Sequence, residues 1–280
     1  MPPQPQPTNV SANGAAEQAS QPRARERLKN RIKPAGGLAP VLHVAFRLAL
    51  PLVVFILSSL SIGSWLPLLV VFLSKWRIFA VRPRFWPANL RANSIDIMFG
   101  VSIVVFMAHT ASPGIRLALA ALYAGWLLFI KPMSGALAAS VQSSIGQLVG
   151  LLALFIAWSG GPLLGLVFTT GLICYLAARH FFDSYNEPYA KLLSYIWGYF
   201  GAALMWVLGH LLIVYPGPDG PLAQPVLFLS VIGYTLGAIY YLEHYDRLST
   251  TLKRELLYLC GGGVLVLLVS LFYEGLHLIV

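Results

Sequence analysis

The chain has 280 residues, 58% hydrophobic and only 10% charged, with a mean hydropathy of +0.73. That balance excludes a water-soluble enzyme, a disordered linker and a nucleic-acid-binding domain, although the net charge of +9 and the pI of about 9.7 would otherwise suit the last. The 47 residues from Pro132 to Ala178 hold no Asp, Glu, Lys or Arg, more than twice the roughly 20 apolar residues that one helix needs to cross the hydrocarbon.

Taken in chain order, residues 1–22 are rich in Pro, Gln, Ala and Ser and are expected to be disordered, because they cannot bury enough apolar surface to offset the entropy of ordering. Residues 23–37 form a polybasic juxtamembrane segment; Arg23 to Lys33 alone is net +5. Beside an anionic leaflet each such charge is worth about 1 kcal/mol. No cleavable signal is expected, since the first apolar stretch is as long as a full span and begins far into the chain.

Residues 38–280 read as a single all-α transmembrane domain, a polytopic helical bundle. Nine spans are expected at about 40–60, 63–80, 94–112, 114–131, 134–158, 162–182, 190–215, 223–243 and 256–279. Ser112-Pro113-Gly114, Ser159-Gly160-Gly161-Pro162 and the run Pro216 to Pro221 punctuate them, because Pro fixes φ and Gly permits positive φ. The second span is the shortest, with nine apolar residues from Trp65 to Leu73 before Ser74 and Lys75. The first two segments therefore have an alternative as a shallow hairpin. Alternating sides from a cytoplasmic N-terminus puts seventeen of the nineteen Lys and Arg inside, leaving Arg116 outside and Arg47 in the first span. The expected layout is thus N-terminus cytoplasmic and C-terminus outside, in a bacterial-type plasma membrane.

Small residues four apart (Ala121 and Gly125, Gly146 and Gly150, Gly161 and Gly165, Gly233 and Gly237) predict close helix approach and offer faces for oligomer formation. Gly261-Gly262-Gly263 marks either close packing or an unwound point. Asn186 or Ser184 reads as the cap of the seventh span. Cys174 and Cys260 have no partner spacing and read as packing residues.

Four groups of side chains are candidates for function. Ser140, Ser143, Ser144 and Gln147 form a polar stripe on the fifth span and suit a solute path. Lys75, Arg77, Arg82, Arg84 and Arg91, interleaved with Trp76, Phe79, Phe85 and Trp86, suit contact with phosphate or lipid headgroups on the cytoplasmic face. His180, Asp183, Glu187, Glu243, His244 and Asp246 line a cytoplasmic rim whose carboxylates and imidazoles are of the type that holds a divalent cation against a diphosphate. His109, His210, Glu274 and His277 fall in the outer leaflet, where convergence would make a metal or proton path.

The nine-span layout is similar to that of the intramembrane aromatic prenyltransferases. Asp183 and Glu187 match one acidic motif in part, but the loop after span two has no acid before Asp96, so the other motif is missing and no activity is carried over. The reading that leads is a permease- or channel-like protein moving a small solute or lipid. Its alternatives are a membrane-embedded enzyme acting on a phosphate-bearing lipid at the cytoplasmic face, and a noncatalytic subunit of a membrane complex. The expected partners are the bilayer and its anionic headgroups, not nucleic acid. No motif names a cofactor.

Overall fold

A computed structural model describes residues 38–60, 65–158, 160–210, 214–217 and 220–277. The expected disordered tail (1–22) and polybasic segment (23–37) lie outside the described residues. The chain to Ala45 and the chain from Phe46 onward are separate compact units, and the packing below belongs to the second.

Ten α-helices occur among the described residues: α1 (Leu38–Ser59), α2 (Trp65–Leu73), α3 (Trp86–Ala92), α4 (Ser94–His109), α5 (Pro113–Gly125), α6 (Ala136–Ala157), α7 (Leu163–Ser184), α8 (Ala190–Gly209), α9 (Gln224–His244) and α10 (Thr250–His277). Five stretches are long and apolar enough to cross a membrane: Pro113–Ile130, α6, α7, α8 and α9. A sixth arises if Pro83–Ala92 and α4, bent by 65° at their junction, are one broken span. The chain is a multi-pass helical membrane protein. Its helices carry the outward apolar side chains that lipid requires, such as Phe168 (72% exposed) and Tyr199 (78%).

The breakers act as their chemistry dictates. Ser112 caps α5, its Oγ accepting the Ile115 N–H at 3.4 Å. Gly160 adopts φ +84° in the turn between α6 and α7. The Pro/Gly run after α8 closes an antiparallel hairpin, β1 (Val214–Gly217) with β2 (Gly220–Ala223), in which Val214 pairs with Ala223 and Gly217 with Gly220.

Three expectations need correction. The second span is shorter than expected: α2 has nine residues, about 13 Å at 1.5 Å per residue, too short by itself for a hydrocarbon core of about 30 Å. Beyond it the chain turns through 3₁₀ segments Trp76–Ile78 and Pro83–Phe85. Neither Ser184 nor Asn186 caps α8: the cap position is Tyr189, Asn186 takes φ +52°, and the Ser184 hydroxyl donates back to Phe181 O at 2.7 Å. The glycine triplet of α10 is neither unwound nor uniformly packed. The helix is continuous through it, and a Cβ at Gly261 or Gly262 would meet nothing within 4 Å.

Two buried clusters hold the bundle. One joins Val54 of α1, Val71 of α2, Phe99 and Ile103 of α4 and Tyr123 of α5; the other joins Leu151 of α6, Cys174 of α7, Met205 of α8 and Leu229 of α9. Met98 packs on both. Glycines set the closest helix approaches. Gly146 and Gly150 of α6 receive Ile95 and Met98 of α4, while Gly171 of α7 and Gly198 of α8 face each other backbone to backbone.

Candidate functional site

The end of the bundle that carries the loop between α2 and α3, called here the basic end, holds most of the chemistry. Its deepest feature is a buried ionic cluster. Asp96, in the first turn of α4 and 7% exposed, accepts hydrogen bonds from the ammonium groups of Lys75 and Lys131 and from Trp126 Nε1 at 3.1 Å. A carboxylate there also faces the positive end of the α4 dipole. Trp126 and Lys131 reach it together because Trp126–Ile130 winds as a π-helix, with Lys131 N–H bonded to Trp126 O at 2.8 Å. Five residues of regular α-helix would leave the two side chains about 140° apart. Lys75, expected at the headgroups, is instead taken up by the protein, because the buried Asp96 needs a counter-charge.

The other members of the basic loop stay outside. Arg77, Arg82 and Arg84 are exposed, Arg84 lying over the Phe85 ring at 4.6 Å. Arg91 differs. It turns toward α7, where its Nε is 3.7 Å from Asp183, and Arg179 Nη2 meets the same carboxylate at 2.9 Å.

The polar stripe of α6 divides in two. Ser140 bonds to Ala136 O and to the Tyr185 hydroxyl, both at 2.8 Å. Burial raises the Tyr185 phenol above its ordinary pKa, against the opposing pull of that bond, so it stays a neutral partner at neutral pH. Ser143, Ser144 and Gln147 instead line a cleft of about 380 Å³ whose other walls are α7, α8 and α9. The cleft exists because α8 packs along α7 while α9 packs on α6 and α10, leaving the α8–α9 side thinly filled. Gly233 and Gly237 of α9 keep it clear; a Cβ at Gly233 would come within 3.0 Å of Gln147 Nε2 and 3.1 Å of the Trp197 ring.

Inside the cleft the polar groups fall into two kinds. Gln147 is held at both ends of its amide, donating to Leu229 O at 3.1 Å and accepting from Trp197 Nε1 at 2.9 Å. Ser143 Oγ and Ser230 Oγ are buried and have no partner among the described residues. A buried hydroxyl without a partner costs about 1 to 3 kcal/mol, so two of them in one cleft, on α6 and α9, mark a place where a bound polar group or water completes the site. The remaining lining is apolar and aromatic: Phe181, Phe182, Trp197, Tyr234 and Tyr240. Tyr234, 67% exposed, and Ile196, 55% exposed, stand at the open side of the cleft. Glu243 is the one charged residue in the lining.

Around that carboxylate the rim is an aromatic cluster rather than a metal centre. Tyr240 packs against Phe181, Phe182 and Tyr185 with ring centroids 5.2 to 5.5 Å apart, and donates to Glu187 Oε2 at 2.5 Å. His244 sits edge-on to Tyr185 at 4.9 Å. His180 Nε2 is 3.1 Å from Gln142 Oε1, and Asp246 is exposed at φ +53°. Among the described residues no three His, Cys, Asp or Glu side chains gather in a group that could hold a metal ion.

At the opposite end, His109 Nδ1 lies 2.8 Å from Val105 O and His210 Nδ1 lies 2.6 Å from Trp206 O. Each is thus tied to its own helix. The side chains of Glu274 and His277 lie outside the described residues. Sequence reading missed Ser230, Trp197 and Tyr240 in the cleft. A signal was present for one of them, since Ser230, Gly233 and Gly237 fall at 0, 3 and 7 and so share a helix face.

No family model matches the chain, and no curated protein or solved structure is similar to it.

Proposed function

We propose that this protein is a permease-like carrier for a small amphiphilic solute or lipid, with its basic end in the cytoplasm of a bacterial-type cell and its C-terminus outside. The orientation rests on the positive-inside tendency applied to Lys75 through Arg91, Lys131, Arg179, Lys191 and Arg247. The substrate class rests on one observation: an apolar, aromatic cleft between spans contains two buried, unpartnered hydroxyls, Ser143 and Ser230, and opens sideways past Tyr234. A mostly apolar cavity with a few convergent polar groups is the usual form of a small-molecule site. Lateral access suits a ligand that reaches it from the lipid.

The test is flux in proteoliposomes against a panel of small amphiphiles, comparing the natural protein with Gly237→Phe. That substitution is chosen because a Cβ at Gly237 meets only Phe181, at 3.7 Å, an ordinary contact, so the added ring enters the cleft without wedging helices apart. Flux is expected to fall by about tenfold, the equivalent of about 1.4 kcal/mol, while the elution profile is unchanged. If no member of the panel crosses with the natural protein, or if Gly237→Phe carries it equally fast, the reading fails.

A further inference from the structure

A second cavity, of about 660 Å³, runs along the far side of α7, walled by α4, α6 and α7 with α3 at its mouth. It shares no lining residue with the cleft. Along α4 its wall extends from Ser94 to Val105, eleven residues of rise or about 16 Å, which is half of a hydrocarbon core of about 30 Å. The groove is therefore one leaflet long, and its wall is mostly apolar, with Met98, Val101, Leu154, Leu172 and Leu176 among its residues; of the polar ones along it, the Ser102 hydroxyl is bonded to Met98 O at 2.8 Å.

Its one charge and its unpartnered hydroxyl lie at one end, the basic end. Arg91 is the one charged residue in the lining. Ser94, also in the lining, is 6% exposed and its hydroxyl has no partner among the described residues. Arg179 lies one turn beyond Tyr175 and Leu176 on the same face of α7 and shares Asp183 with Arg91. Its Nε and Nη1 are buried without partners among the described residues. Two guanidinium groups against one carboxylate leave one positive charge and at least two N–H donors unanswered. The 65° bend between the α3 segment and α4 brings Arg91 and Ser94 to the same mouth.

We propose that this groove is a binding site for a phospholipid of the leaflet at the basic end, one acyl chain lying along α4 and the phosphodiester held by Arg91, Ser94 and Arg179. A phosphodiester supplies the single negative charge and the acceptor oxygens that these donors lack, and guanidinium groups bind such oxygens in pairs. The groove's length matches a chain of one leaflet. The site is independent of the cleft and of the transport reading.

The experiment is native mass spectrometry of the full chain released from mild detergent, titrated with phosphatidylglycerol, alongside Arg91→Gln and Val101→Trp. Arg91→Gln removes the charge at the mouth, and Val101→Trp fills the groove from a half-buried position. The natural protein is expected to retain one lipid more than either variant, and Arg91→Gln to weaken that lipid about tenfold. Soluble glycerol phosphate at equal concentration is expected not to displace it, because the chain is part of the ligand. Retention of the natural number of lipids by both variants overturns the proposal, as does displacement by glycerol phosphate alone. Each variant is compared at matched helical circular dichroism, and Arg91→Lys serves as a second variant at the mouth. Lys keeps the charge without the fork, so binding intermediate between Arg and Gln is the expected result, and equal binding by all three overturns the assignment.

Discussion

Asp96→Asn is expected to lower the stability of the folded protein by about 3 to 5 kcal/mol, the range for removing one partner of a buried ion pair. The reason is what it leaves behind. Lys75, 8% exposed, would face Lys131 with no carboxylate between them, and Trp126 Nε1 would lose its charged acceptor. The two lysines are not equivalent. Lys131, with its side chain 37% exposed, can swing to water, whereas Lys75 has no such route. Lys131→Met should therefore cost about 1 kcal/mol, in the range of partly exposed pairs, and the double variant Asp96→Asn with Lys75→Met should recover most of what Asp96→Asn loses. Reversible unfolding in detergent micelles measures both. An Asp96→Asn protein within about 0.5 kcal/mol of the natural one, the range of an ordinary surface change, would show that the cluster is not what fixes α2, α4 and the π-turn together.

That cluster also shows where sequence reading stops. The helical segments were legible, because they depend on local facts: a run without charge, a Ser-Pro-Gly start at Ser112, a Gly-Gly-Pro break after Ser159. The 0, 4, 7 spacing of Ser140, Ser144 and Gln147 places them on one side of α6, yet only Gln147 of the three is buried and Ser144 is exposed. Partner choice was not legible. Lys75 and Lys131 lie 21 and 35 residues from Asp96, and their pairing follows from a half-length helix and a π-turn that no local pattern announces. The stripe likewise splits by contact rather than by spacing: Ser140 goes to Tyr185, and Ser143 goes to the cleft. The groove beside α4 was invisible for a related reason. Arg91 looks like its neighbours Arg82 and Arg84 in sequence, and only the bend after α3 turns it toward Asp183.

Glycine substitutions test the helix seam with a built-in change of sign. In a helix Gly→Ala is worth about 1 kcal/mol of added stability where there is room for the methyl group. Gly125 has room: its backbone is helical, φ −57° and ψ −44°, and a Cβ there would meet nothing within 4 Å. Gly125→Ala is thus expected to be neutral or stabilising, even though Ala121 and Gly125 carry the small-residue spacing. Gly171 and Gly198 have none. A Cβ on Gly171 would lie 3.0 Å from Gly198 O, one on Gly198 would lie 3.0 Å from Gly171 O and 2.9 Å from Tyr175 Cβ, and backbone atoms cannot move aside as a side-chain tip can. Either substitution must push α7 and α8 apart along their whole contact. Overpacking of this kind costs about 1 to 3 kcal/mol, outweighing the propensity gain. Because α8 forms one wall of the cleft, the same displacement should widen the gap at Trp197 and break its 2.9 Å bond to Gln147. Melting temperature and Trp197 emission, read against Trp197→Phe, report the two effects separately. A stabilised Gly198→Ala protein with unchanged emission would mean that α7 and α8 are not held at the glycine contact.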